Sequence, residues 1–302
     1  MTTRPKHYVE YAFLRLVVAL VCLLPLRGAL AVGWVLAALS YPFMRRRRAE
    51  ALRRMREVFG PDIPESRRRG WAWLSWRNLV FNVVELARAA RNPPEELDHQ
   101  VDVAGLQPCL EYQRAHGGCT IAVCHMGNWE LAGFAARRMG LPIFVMMRAQ
   151  SNPLITRFLD TVRERHAIDA LERHQALSSV AKRIRSGGVF TILPDIRSKT
   201  REGSVLVPFL GREGHLMGGA ALFARLTKTP VFTAIMTREG WTRHHVELVQ
   251  PPIAPDPAVD RDDDVRRMMT EMMARFDAAI RARPDQYFWY NKRWVLDDRF
   301  DS

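Results

Sequence analysis

The chain has 302 residues, 48% hydrophobic and 25% charged, enough apolar content for a sizeable core and too much for a disordered chain. Lys and Arg total 45 against 32 Asp and Glu, a net charge of +13, and only five of those cations are lysines. The excess points to an anionic partner, whether nucleic acid, anionic lipid or an acidic protein, and arginine suits bidentate binding of phosphate or carboxylate. The four cysteines, Cys22, Cys109, Cys119 and Cys124, form no C-x-x-C pair. That spacing argues against a disulfide scaffold or a zinc site and for a reducing compartment.

Residues 11–44 are almost wholly apolar, with only Arg15 and Arg27 charged, and Pro25 and Gly28 break the run in two. Each piece is near the lower limit of roughly 17–25 residues for a spanning helix. A secretory signal fits poorly, because the run meets Arg45 to Arg48 instead of a cleavage site. The reading is a membrane anchor over 1–45, as one span or a bent helical pair lying in one leaflet. The Arg quartet after it places the rest of the chain, 46–302, on the cytoplasmic side and sets cations at anionic headgroups. Arg53, Arg54, Arg56 and Arg67 to Arg69 extend that surface.

A helix from residue 71 repeats Trp73, Trp76, Val80, Val83, Val84 and Ala87 at helical spacing, predicting that this face packs on the core, and Asn92-Pro93-Pro94 ends it. The chain then alternates. Strands are predicted at 119–125, 141–148, 189–195, 205–211, 230–238 and 244–250, the last two as a hairpin. Helices are predicted at 129–138, 153–165, 178–185, 217–226 and 262–283. This is the pattern of an α/β fold with a mixed central sheet flanked by helices.

The densest chemical signal is CHMGNWE. His125 ends an apolar strand, Gly127 and Asn128 permit a tight turn, Asn128 suits a helix N-cap, and Glu130 falls in the next helix's first turn. Open α/β sheets bind ligands at the carboxyl ends of strands. A neutral imidazole there accepts a proton from an attacking hydroxyl, a carboxylate orients the ring, and N–H groups at the helix start suit an oxyanion. No Ser or Cys sits in a nucleophile elbow, so direct transfer is favoured over a covalent intermediate.

These features resemble the lipid A biosynthesis late (lauroyl and myristoyl) acyltransferases. The apolar start with its Arg cluster, HMGNWE as the H-x4-[DE] motif, RAQSNPLITRFLDTVRER, LPD followed by GSVLVPFLG, GGAALFARLTKTPV and DQYFWYNKRW match that family's segments in order. The resemblance implies a glycerolipid-acyltransferase-like fold. It implies an O-acyltransferase of the inner membrane's cytoplasmic face that moves an acyl chain from an acyl carrier protein or acyl-CoA thioester to a hydroxyl of a lipid A precursor. It makes His125 the general base and Glu130 its orienting partner, with Arg163 and Asp195 also catalytic. Substrate binding falls to Arg148, Asn128, Asn152 and the 197–201 loop with Arg197, Lys199 and Arg201. The thioester is a co-substrate, and no cofactor, metal or nucleic acid is expected.

Two departures from the family pattern stand out, Arg54-Met55 before Phe59-Gly60 and Asn291-Lys292-Arg293-Trp294 at the close. They leave open other acceptors for the same chemistry, a phosphatidylinositol mannoside or a lysophospholipid. Outside enzymes, the charge leaves a basic nucleic-acid or lipid-binding protein. No zinc spacing, RNA-recognition motif or basic recognition helix supports the nucleic-acid reading.

Overall fold

A computed structural model describes residues 3–147, 151–172, 177–198, 201 and 203–296. Helix α1 spans Pro5–Leu23 and α2 spans Leu26–Ser40. The break comes where sequence placed it. Pro25 has no N–H to continue α1 and holds Leu24 extended at φ −98°, ψ 150°. Helix α2 passes through a 3-10 turn into α3, Arg45–Phe59. The run Leu26–Phe59 contains the one stretch among the described residues long and apolar enough to cross a membrane. Helix α2 alone is about 22 Å long, short of the roughly 30 Å hydrocarbon core.

Helix α4, Glu65–Ala89, receives both apolar helices. Val18, Val21, Ala29 and Leu30 pack against its Phe81, Val84 and Ala87. Gly33 permits the close approach, since a Cβ there would lie 3.0 Å from Val84. The outer faces stay exposed through Val9, Phe13, Leu16, Leu20 and Leu23 on α1 and Trp34, Leu36 and Leu39 on α2.

The body is a mixed α/β layer structure around a seven-stranded sheet. Its elements in chain order are β1 (Val101–Gly105), α5 (Gln107–His116), β2 (Cys119–Val123), α6 (Trp129–Met139), β3 (Ile143–Met147), α7 (Pro153–Arg165), β4 (Asp169–Glu172), α8 (Leu177–Arg185) and β5 (Val189–Ile192). There follow β6 (Ser204–Phe209), β7 (Arg212–Met217), α9 (Gly219–Thr227), β8 (Val231–Glu239), β9 (Arg243–Ile253) and α10 (Arg261–Ala282). The order across the sheet is β1-β9-β8-β2-β5-β3-β4, all neighbours parallel except the expected β8–β9 hairpin. Strands β6 and β7 form a separate two-stranded ribbon.

Alternate residues of the central strands bury on opposite faces, because successive side chains on a strand point to opposite sides. Ala122, Val231 and Ile235 meet α3, α9 and α10, where Met268, Met269, Met272, Met273, Phe276 and Ile280 form a filled stripe. Ile121, Val189 and Phe232 meet α5 and α6 through Cys109, Leu131 and Phe134. Truncating one such side chain to Ala costs about 2–5 kcal/mol in comparable cores.

Helix α4 differs from its sequence expectation. Val83, placed on the core face, is half exposed, and the inward stripe contains Ser75, Asn78 and Glu85 as well as Phe81. The apolar positions of α4 are divided between the body and the α1–α2 pair, so its inward line is free to carry polar groups.

Candidate active site

Parallel strands β2 and β5 are in register with Ala122 opposite Ile192. His125 and Asp195 each follow three residues beyond that pair, at the carboxyl end of the sheet. His125 Nδ1 lies 2.8 Å from Asp195 Oδ1, and the His125 backbone N–H donates to Asp195 Oδ2 at 2.8 Å. The Asp195 side chain is fully buried, while 18% of the His125 side chain remains accessible. A carboxylate accepting at Nδ1–H fixes the tautomer that leaves Nε2 with its lone pair.

This corrects the expected partner of the imidazole. The carboxylate on the ring is Asp195, because β2 and β5 are adjacent and their ends coincide. Glu130, in the first turn of α6, instead accepts from Arg163 Nη2 at 2.9 Å. Among the described residues Arg163 Nη1 is buried without a hydrogen-bond partner, 3.9 Å from Asp160 Oδ1.

The turn between β2 and α6 requires its glycine. Gly127 has φ +62°, and a Cβ there would lie 2.5 Å from the Met236 carbonyl oxygen. The segment before the carboxyl end of the chain closes the other side: Gly127 N–H donates to Gln286 O at 3.1 Å and Phe288 N–H to His125 O at 2.9 Å. Trp129 meets the imidazole edge to face, with centroids 4.9 Å apart. Tyr287 is buried beside Asp195, and burial together with that carboxylate's charge pushes its phenol well above the usual range. The same two causes push the Cys124 thiol well up, which removes it as a nucleophile.

His125, Glu130 and Arg163 face a cavity of about 380 Å³ whose other walls are largely apolar, among them Val123, Phe134, Ile143, Leu159 and Ile168. Gly133, one turn beyond Glu130, also lines it, and a Cβ there would meet nothing within 4 Å. Arg293 reaches the cavity, and its guanidinium donates to Arg197 O.

The expected substrate-binding residues divide. Asn128 is buried; its Oδ1 caps α6 by accepting from Leu131 N–H at 3.4 Å, and its Nδ2 donates to Glu85 at 2.8 Å. Asn152 is likewise buried, capping α7 at Leu154 N–H and donating to His7 O and Glu10 Oε2 on α1. Their side chains are spent on helix starts and on contacts with Glu85 and with α1, and neither lines the cavity. Arg197 is buried and bridges to Leu216, and Arg201 precedes β6, its carbonyl accepting from Ser204. Arg148 and Lys199 lie outside the described residues.

The two departures from the family pattern meet in space. Arg54 Nη1 donates to Trp289 O at 2.6 Å and Asn291 O at 2.8 Å, with its guanidinium 5.0 Å from the Trp294 ring. Sequence reasoning missed Trp129, Tyr287 and the polar stripe of α4. The last was visible as Ser75, Asn78, Asn82 and Glu85, spaced at helical intervals inside an apolar helix.

A model of the family described as bacterial lipid A biosynthesis acyltransferase matches residues 2–295. No curated protein matches the chain. Among solved structures, the crystal structure of the 1-acyl-sn-glycerophosphate (LPA) acyltransferase PlsC from Thermotoga maritima is similar at 14% identity, with 84% of this chain and 98% of that chain covered and a TM-score of 0.39.

Proposed function

The chain belongs to the bacterial lipid A biosynthesis acyltransferase family, and from that membership we propose that it transfers a fatty acyl chain from a thioester to a hydroxyl of a lipid A precursor, with His125 as general base. The observation that carries this reading is the His125–Asp195 pair on the wall of a largely apolar cavity. The apolar walls suit an acyl chain.

His125 Nε2 takes the proton of the acceptor hydroxyl as its oxygen attacks the thioester carbonyl. Asp195 holds the ring and stabilises the imidazolium. Arg163 supplies the charge that meets the developing oxyanion, held toward the cavity by Glu130. Collapse of the tetrahedral intermediate breaks the C–S bond. The proton passes from His125 to the leaving thiolate, giving an ester and a free thiol. Acyl carrier protein and acyl-CoA both present this thioester. Arg197, Lys199 and Arg201 are assigned to phosphates of the acceptor or donor.

The apolar N-terminal helices and the family fit membrane association. In this reading the exposed faces of α1 and α2 lie in the inner membrane, Arg45 to Arg48 meet anionic headgroups, and the sheet faces the cytoplasm. A phosphatidylinositol mannoside or lysophospholipid acceptor would use the same chemistry.

The test is incubation of the full chain in lipid vesicles with a lauroyl thioester and a tetra-acylated lipid A precursor, read by mass spectrometry. One added acyl ester with an equivalent of free thiol supports the reading. Release of fatty acid with no acylated lipid, across the three acceptor classes named, overturns transfer to lipid.

A further inference from the structure

Behind the His125 turn, away from the cavity, lies a buried charged cluster that the transfer chemistry does not use. Glu85 on α4 is 2% exposed, Arg238 on β8 4% and His244 on β9 2%. Arg238 grips Glu85 in a fork, Nη1 to Oε1 at 2.6 Å and Nη2 to Oε2 at 2.7 Å, and His244 Nε2 lies 3.0 Å from Oε1. Burial pushes the Glu85 carboxyl up, but Arg238 and His244 more than reverse this and hold it at about 2. Replacing a buried ion cluster of this kind with packed apolar side chains is often neutral or stabilising, so stability alone does not account for it.

What the cluster touches accounts for it better. Glu85 Oε2 accepts from Asn128, the cap of α6, at 2.8 Å. Asn82, one turn earlier, donates to Gly127 O at 2.6 Å and accepts from Arg238 at 2.8 Å. The Arg238 backbone exchanges two hydrogen bonds with the Gln286 side chain, at 2.6 and 2.8 Å, and Gln286 O accepts Gly127 N–H. Ser75 and Asn78 hold the Tyr287 and Asp285 carbonyls from the same face of α4. Apart from the Arg238–Asn82 bond, which ties the cluster together, each of these bonds ends on the two residues that follow His125 by two and three places or on the strip that flanks them.

We propose that Glu85, acting through Asn128 and together with Asn82 and Arg238, is a positioning residue that fixes the His125 turn and the start of α6. The proposal rests on His125 being the base. Glu85 touches neither the cavity wall nor the dyad. It sets where His125 and the first turn of α6, with Glu130, stand relative to the acyl carbon, and a displacement of about 1 Å at such a group costs on the order of 100-fold in rate.

The experiment uses the full chain with radiolabelled lauroyl-CoA and a tetra-acylated lipid A precursor, measuring kcat, KM and thermal unfolding, with thioester hydrolysis by water followed in parallel. Wild type and His125→Ala set the range, so failure of the base assignment is seen separately in those two proteins. Glu85→Gln is expected to stay folded, keep KM within about twofold and lose on the order of 100-fold in kcat. Combining Glu85→Gln with Asn128→Asp reverses the bond: the amide at 85 now donates to a carboxylate at 128, which still caps Leu131, the amide oxygen keeps Arg238 Nη1 and His244, and Arg238 Nη2, which loses its acceptor at 85, still donates to Asn82. That pair is expected to recover most of the lost kcat, which a merely structural role does not predict. Asn82→Asp removes the donor to Gly127 O while leaving Arg238 its acceptor, and it decides the matter if Glu85→Gln does not fold. A folded Glu85→Gln or Asn82→Asp with kcat within about twofold of wild type overturns the proposal. So does a folded double variant no faster than Glu85→Gln.

Discussion

Asp195 holds His125 twice, at the ring through Nδ1 and at the backbone through N–H, both at 2.8 Å. One carboxylate thereby fixes both the imidazole and the end of the strand that carries it. Asparagine has one acceptor and one donor where the carboxylate has two acceptors, so Asp195→Asn turns an N–H donor against one of the two sites. The expected outcome is a loss of about 10³–10⁴ in kcat with KM little changed, as for tautomer-breaking changes in other His–Asp pairs. Steady-state transfer kinetics check it, and a kcat within tenfold of wild type would mean that Asp195 is only structural.

The ion pair between Glu130 and Arg163 at 2.9 Å stands on the cavity wall, with Arg163 Nη1 buried beside it. If the two act as a unit, Arg163→Lys and Glu130→Gln each lower kcat by about 10–100-fold, and the double variant falls by much less than the product of the two. The measurement is a double-mutant cycle on kcat/KM. Fully multiplicative losses would show that the contact seen here has no part in catalysis.

Gly133 is a helical glycine whose missing side chain opens onto the cavity. Gly133→Leu fills that space while raising helix propensity, so thermal stability is expected to hold or rise by up to about 1 kcal/mol. Acyl preference should move toward shorter chains. Competition between octanoyl and lauroyl thioesters reads the shift; an unchanged ratio would place the acyl chain elsewhere.

Much of this was legible in the sequence. The short β-rich apolar runs led to β2, β5, β8 and β9, and the segment after Asn152 to α7 with its observed bounds, Pro153–Arg165. Strands β1 and β4 were not legible, since VDVAG and DALE are edge strands of only five and four residues with less apolar content than β2 or β5. The choice of Asp195 over Glu130 as the partner of His125 depends on β2 lying beside β5, 70 residues away, and no local pattern encodes that neighbour. Asn128 illustrates the same limit. Its capping role was readable from Gly-Asn before a helix, but its second bond reaches Glu85 on a distant helix.

The buried Glu85 also sets an acid sensitivity. Its folded-state pKa is depressed from the usual 4.5 to about 2, so the unfolded chain takes up a proton more readily. The stabilisation is therefore complete above about pH 4.5 and lost as pH falls toward 2, worth on the order of 3 kcal/mol in all. Wild type should lose stability over this window more steeply than Glu85→Gln. Chemical denaturation at pH 6, 4 and 3 checks this, and parallel curves for the two proteins would contradict it.

In the proposed mechanism His125 takes the acceptor's proton in a direct transfer. Its most direct test is single-turnover transfer by His125→Ala at saturating thioester and acceptor, with binding of both substrates measured independently. Binding within a few-fold of wild type and a transfer rate lower by about 10²–10⁴ are expected. A folded His125→Ala that transfers at the wild-type rate, or an acyl group found covalently on the protein before it reaches the acceptor, would contradict it.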